Sequence, residues 1–99
     1  MNRLETAYSA ELELRRRAGE VLWFAWEAMK LRLADKTFLT PDFAVVNRDG
    51  ELEFHECKGF MEDDAAVKLK VAAERFPCRF LLVRARAKRD GGGFVVEEV

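Results

Sequence analysis

Two cysteines, one histidine and two prolines are all that this 99-residue chain holds of the residues that most often cross-link, ligate soft metals or interrupt elements. Cys57 and Cys78 are too few for a disulfide framework, and with His55 they make no paired zinc-ligand cluster. Both are expected as reduced thiols in or near the core. No apolar run approaches the ~20 residues needed to cross a bilayer, and the opening MNRLETAYSAELELRRR is too polar for a secretory signal. A cytoplasmic location without a membrane partner is therefore expected. Repeats and interdomain linkers are absent too, and the net charge of -1 does not by itself announce a polyanionic partner.

What is present suits one folded domain over residues 1–99. Apolar residues make up 49% and charged residues 35%, the balance of a globular chain rather than a disordered one. At this length one core built from a few helices and a sheet is the limit. The small net charge hides an uneven distribution, for eight Lys and Arg stand against one acid, Glu74, between Lys68 and Arg89. Such a basic half either meets phosphates or forms a solvated face.

Leu4, Ala7, Tyr8 and Leu12 at helical spacing, then Arg15-Arg16-Arg17 and Gly19, predict a helix over residues 2–18. VLWFAWEAMKLRLA predicts one or two strands, with Met29, Leu31 and Leu33 alternating against Lys30 and Arg32, and with Trp23, Phe24 and Trp26 in the core. ADKT turns the chain into FLTPDFAVV, read as a strand, and NRDG at 47–50 signals a hairpin into ELEFHECK. Asp63-Asp64 then cap a helix with the stripe Ala65, Leu69, Ala72, Ala73 and Phe76, ended by Pro77. CRFLLVRA reads as a buried strand, RAKRDGGG as a mobile basic loop and FVVEEV as a closing strand. The order α-β-β-β-α-β-β predicts an α/β (α+β) domain with helices against one mixed sheet.

Charge gathers oddly on the hairpin. Alternation puts Leu52, Phe54, Glu56 and Lys58 on one face and Glu53, His55 and Cys57 on the other. On the preceding strand Phe38, Thr40, Asp42 and Ala44 share a face, and a tight turn sets Asp42 across from about residue 55. Asp42 and Glu56 are then neighbours. Two such carboxylates at the edge of a core repel and lose hydration, an objection that a divalent cation removes. Mg²⁺ takes oxygen ligands, typically one or two carboxylates with waters and phosphate oxygens, and the backbone carbonyl of Cys57 offers a third protein oxygen. Lys58 lies ~7 Å beyond Glu56 along the strand, within reach of an attacking water. Acid, acid and base suit phosphodiester hydrolysis.

Pro41-Asp42, thirteen intervening residues and Glu56-Cys57-Lys58 resemble the PD-(D/E)XK nuclease superfamily of restriction endonucleases and small Holliday-junction resolvases. The resemblance spans the whole chain, and the stretches TPDF, HECKGF and DDAAVKLKVAAERFP look like small phage and prophage members. It implies a restriction-endonuclease-like αβββαβ core with the motif on the hairpin of the second and third strands. It also implies a Mg²⁺- or Mn²⁺-dependent DNA endonuclease, with Asp42 and Glu56 as metal ligands and Lys58 as base or stabiliser. An acid from the first helix often completes such sites, and Glu5 matches that position best, with Glu27 as the alternative. Lys68 and Lys70 fall where members often carry a basic residue, and Arg86, Lys88 and Arg89 extend the basic surface for DNA. Likeness to resolvases implies branched DNA and a homodimer. Two other readings stand beside it: a DNA-binding or phage regulatory module that keeps the fold without hydrolysis, and a small structural protein. His55, on the face away from Glu56, is read as structural rather than as a general base.

Overall fold

The computed structural model describes residues 1–59 and 63–99. Helix α1 (Arg3–Arg17) begins at a capping box: the Glu5 N–H donates to the Asn2 side chain at 2.8 Å, and the Asn2 N–H donates to Glu5 Oε1 at 2.8 Å. Two amides that the helix leaves unpaired are satisfied in this way. Arg15, Arg16 and Arg17 complement the negative helix end, and Gly19 at φ +80 turns the chain away. Tyr8 and Leu12 are the buried face, whereas Ala7 is exposed.

Five strands follow: β1 (Val21–Trp26), β2 (Leu31–Ala34), β3 (Thr37–Leu39), β4 (Phe43–Asn47) and β5 (Leu52–Cys57). Helix α2 (Asp63–Arg75), strand β6 (Arg79–Ala85), a short 3-10 turn (Lys88–Asp90) and strand β7 (Phe94–Glu98) complete the chain. The main sheet has the order β1-β4-β5-β6-β7, with β5 and β6 parallel and the other neighbours antiparallel. Strands β2 and β3 form a separate ribbon. The expected α+β class holds, with helices against a mixed sheet.

The sheet separates two apolar layers. On one side Tyr8 and Leu12 of α1 meet Val21, Phe43, Val45 and Val83. On the other, Leu69 and Ala72 of α2 and Leu33 of the ribbon meet Ala44, Phe54 and Phe80. Strand β5 is thus covered on both faces, and the pleat sends Phe54 to the α2 side and His55 toward α1. Among the described residues no helix is long and apolar enough to cross a membrane.

Four sequence readings change. FLTPDFAVV is not one strand: Pro41 is buried and has no N–H to offer a ladder, so β3 ends before it and β4 begins after it in a different sheet. Phe38 and Thr40 therefore share no sheet face with Asp42. Trp23 and Trp26 are 44% and 42% exposed rather than core, because β1 is an edge strand whose bulge between Val21 and Trp23 shifts the alternation. Phe24 alone of the three packs partly into the α1 layer. Ala65 is exposed, so the buried face of α2 rests on Leu69 and Ala72, and the basic loop read as mobile contains the 3-10 turn. The capping role assigned to Asp63 falls on a side chain outside the described residues.

The hairpin turn follows the residues that signal it. Arg48, Asp49 and Gly50 form a three-residue loop in which the Gly50 N–H donates to Asn47 O at 3.0 Å and the Asn47 N–H donates to Glu51 O at 2.9 Å. Gly50 sits at φ +82, where a side chain is strained, and Asn47 Oδ1 accepts the Asp49 and Glu51 N–H groups at 3.0 Å each. This loop is one residue longer than a tight turn, and Phe43 pairs with His55. Asp42 consequently comes level with Glu56 itself rather than with residue 55.

Candidate active site

Regular pairing of β4 with β5 stops at Phe43 and His55, and beyond it side chains replace the ladder. The Asp42 N–H donates to Glu56 Oε1 at 3.1 Å, and the Cys57 N–H donates to Asp42 Oδ2 at 2.8 Å. Each carboxylate thus binds an amide of the opposite strand, which holds the two acids together at the hairpin end. The Glu27 N–H donates to Asp42 O at 2.8 Å, tying the end of β1 to the same residue; Glu27 itself adopts φ +46, and its side chain is exposed.

The proximity has an electrostatic consequence. Burial and then Asp42 push Glu56 up to about 9 from an ordinary 4.5, while Asp42 is also raised, chiefly by burial, though its hydrogen bond with Glu56 pulls the other way. Burial and the neighbouring acid thus favour the protonated form of Glu56. Glu5 contributes repulsion at Asp42 and Glu56. Asp42, just before β4, and Glu56 of β5 meet at one corner of the sheet. Glu5 keeps its bond to Asn2, and among the described residues no three His, Cys, Asp or Glu side chains close into a metal cage. Two carboxylates with excess negative charge and hard oxygen donors nevertheless fit an ion such as Mg²⁺, which keeps several waters and needs few protein ligands. Burial and then Asp42 raise the Cys57 thiol to about 12. The hard oxygen donor that Cys57 offers is its carbonyl.

Lys58 continues the β5–β6 ladder by one residue, its N–H donating to Val83 O at 2.8 Å, so alternation gives it the face of Glu56. It is half-buried, and among the described residues its ammonium forms no ion pair. Comparison with protein-family models, curated proteins and solved structures finds no match. The site therefore rests on its own geometry.

The basic residues divide. Because β5 and β6 are parallel, with Cys57 level with Val83, the segment carrying Arg86, Lys88 and Arg89 leaves the same end of the sheet as Glu56 and Lys58. All three are exposed, with Arg89 3.9 Å from Asp90. Lys68, in the middle of α2, is half-buried, whereas Lys70 is exposed and turned ~200° away around the helix axis. Those two lysines do not make one stripe.

A buried polar chain escaped the sequence reading. Tyr8 Oη lies 2.6 Å from His55 Nδ1, and His55 Nε2 lies 2.9 Å from Glu53 Oε1. Asn47 Nδ2 and Arg79 each donate to Glu53 Oε2 at 3.0 Å, and Arg79 Nε donates to Glu98 at 3.0 Å. These donors hold Glu53 ionised, below the usual carboxylate range despite its burial. Burial holds His55 below its ordinary value and keeps it neutral. The only available signal was Glu53 and His55 sharing a face at i and i+2; Tyr8 is 47 residues away, and no spacing rule links it to them.

Proposed function

We propose that the chain is a Mg²⁺- or Mn²⁺-dependent DNA endonuclease of the PD-(D/E)XK type that hydrolyses phosphodiester bonds. The observation that carries the reading is the meeting of Asp42 and Glu56 at the hairpin end, where each acid accepts an amide from the other's segment and a cation would balance their charge. The motif hairpin also occupies the second and third strands of the main sheet, followed by a helix and a parallel strand, in agreement with the superfamily's αβββαβ order.

In this reading Asp42 and Glu56 hold the cation, with Glu5 and the Cys57 carbonyl beside them. The bound cation supplies Lewis acidity, making water nucleophilic near neutral pH and offsetting charge on phosphate. Glu56 would meet the cation as a carboxylate, and Asp42 is anchored by the Cys57 amide. Lys58 orients the attacking water or offsets charge that builds on the phosphate oxygens. Arg86, Lys88 and Arg89 track the DNA backbone from the same sheet end, with Lys68 of α2 as a further phosphate contact. Branched DNA as the substrate and a homodimer that makes paired cuts belong to the same proposal.

Nicking of a supercoiled plasmid and of a four-way junction, with and without Mg²⁺, tests it. Wild type should cut only with the cation, and Asp42→Ala and Lys58→Ala should each lose about 10²-fold or more. Cutting that needs no metal or survives both substitutions sinks the proposal. A binding module without hydrolysis is the second reading, favoured by the lack of a three-ligand cage among the described residues. Metal-independent retention of DNA without cleavage would select it.

A further inference from the structure

Tyr8, His55 and Glu53 are 0%, 3% and 6% exposed, positions that apolar side chains would fill without desolvating a carboxylate and an imidazole. Among the described residues every buried side-chain polar atom has a partner, so the polar chain is complete. A buried polar network of this kind stabilises less than packed hydrocarbon, but it is directional and selects one arrangement of the elements it joins. The elements here are α1 and β5. Among the described residues the Tyr8–His55 bond is the one hydrogen bond between α1 and the main sheet, and the remaining contact in that layer, around Leu12, Phe43, Val45 and Val83, is apolar. Apolar packing tolerates rotation of a helix about its axis; a 2.6 Å bond does not.

Both ends of that bond adjoin the acids. Tyr8 lies one turn after Glu5 on the same side of α1, and His55 immediately precedes Glu56. Glu53 accepts from Asn47 and Arg79, so it has only lone pairs to offer His55. Nε2 must therefore carry the ring proton, which leaves Nδ1 to accept the Tyr8 hydroxyl. Glu53 and Arg79 in turn lock the imidazole to β6.

We infer that the Tyr8–His55–Glu53 chain is a positioning device: it fixes α1 against β5 so that Glu5 stays beside Asp42 and Glu56. Tyr8 and His55 touch neither cation nor substrate, and they act through Glu5. The inference rests on the endonuclease reading of that corner.

A double-substitution cycle tests it on the full chain, using Mn²⁺ alone as the probe. Mn²⁺ affinity, followed by the electron paramagnetic resonance of the free ion, and melting temperature are compared for wild type, Tyr8→Phe, Glu5→Gln and the double variant. Tyr8→Phe keeps the ring contacts with Phe43 and Phe94 and removes only the hydroxyl. It should weaken Mn²⁺ binding about tenfold when Glu5 is present and cause no further loss in Glu5→Gln, while lowering the melting temperature equally in both. Equal Mn²⁺ losses in the two backgrounds overturn the inference, because Tyr8 would then support the fold without acting through Glu5. Wild type that binds no Mn²⁺ removes the endonuclease reading and the inference with it. Should Tyr8→Phe fail to fold, ¹⁵N signals of the single histidine in wild type decide the matter. The Nε2–H tautomer with a perturbed Nδ1 on adding Mg²⁺ supports the inference; the Nδ1–H tautomer, which leaves the hydroxyl without an acceptor, overturns it.

Discussion

Asp42 and Glu56 are two acids that the backbone forces together: each accepts an amide from the other's strand, and neither can withdraw without leaving that amide unpaired. Burial and the like charge of Asp42 favour the protonated form of Glu56. Glu56 is the group whose folded value, about 9, lies above its ordinary 4.5. A carboxyl raised in this way binds more protons folded than unfolded throughout that interval, so it lowers stability progressively as pH rises through the interval. In the absence of divalent cations the melting temperature should accordingly fall between pH 5 and pH 9, by the direction of the same shift. Glu56→Gln, neutral at every pH, should flatten that slope and be the more stable protein at pH 8 by about 1 kcal/mol or more. Mg²⁺ should raise the wild-type melting temperature at pH 8 and leave the variant's nearly unchanged. Scanning calorimetry across pH checks all three, and a wild-type profile as flat as the variant's would refute the raised Glu56.

At the scale of elements, local chemistry was legible and remote contacts were not. NRDG marked the hairpin because Asn and Gly suit its turn, and Glu56 and Asp42 could be paired from it. The register missed by one residue because a two-residue and a three-residue loop look alike in sequence, and only the Gly50 conformation separates them. The tryptophans of β1 misled for a similar reason: a bulge at Leu22 and an edge position undo alternation without leaving a mark in composition. Glu5 entered only through the family resemblance, since nothing local joins it to Asp42. The polar chain under α1 was invisible, being made by residues from α1, β4, β5 and β6. Its cost is measurable. Glu53→Ala strands the His55 Nε2–H in a buried layer and removes the inner partner of Arg79, so it should destabilise by about 1–3 kcal/mol in urea unfolding. Glu74→Ala, an exposed site on α2, should stay within about 0.5 kcal/mol. Equal effects at the two positions would show that the chain is not a structural tie.

For the whole molecule, the distribution of charge matters more than its near-zero sum. The parallel β5–β6 pair sends both the acidic corner and the Arg86–Arg89 segment out of one end of the sheet, while Arg79 at the other end is consumed by Glu53 and Glu98. On the proposed reading, a polyanion approaching the acidic corner is held by the neighbouring arginines and lysine, and a cation between the acids would turn the corner itself from repulsive to attractive. Each phosphate contact releases counterions and adds ~0.9 to the slope of log affinity against log salt. In Asp42→Ala, which should not cut, combining Arg86→Ala, Lys88→Ala and Arg89→Ala should weaken duplex binding at low salt and lower that slope by about 2–3. Arg75→Ala, at the far end of α2, should leave the slope unchanged. Fluorescence anisotropy across a salt series measures both. If Arg75 carries as much of the slope as the three loop residues together, DNA lies across the other end of the sheet and cannot reach Asp42 and Glu56.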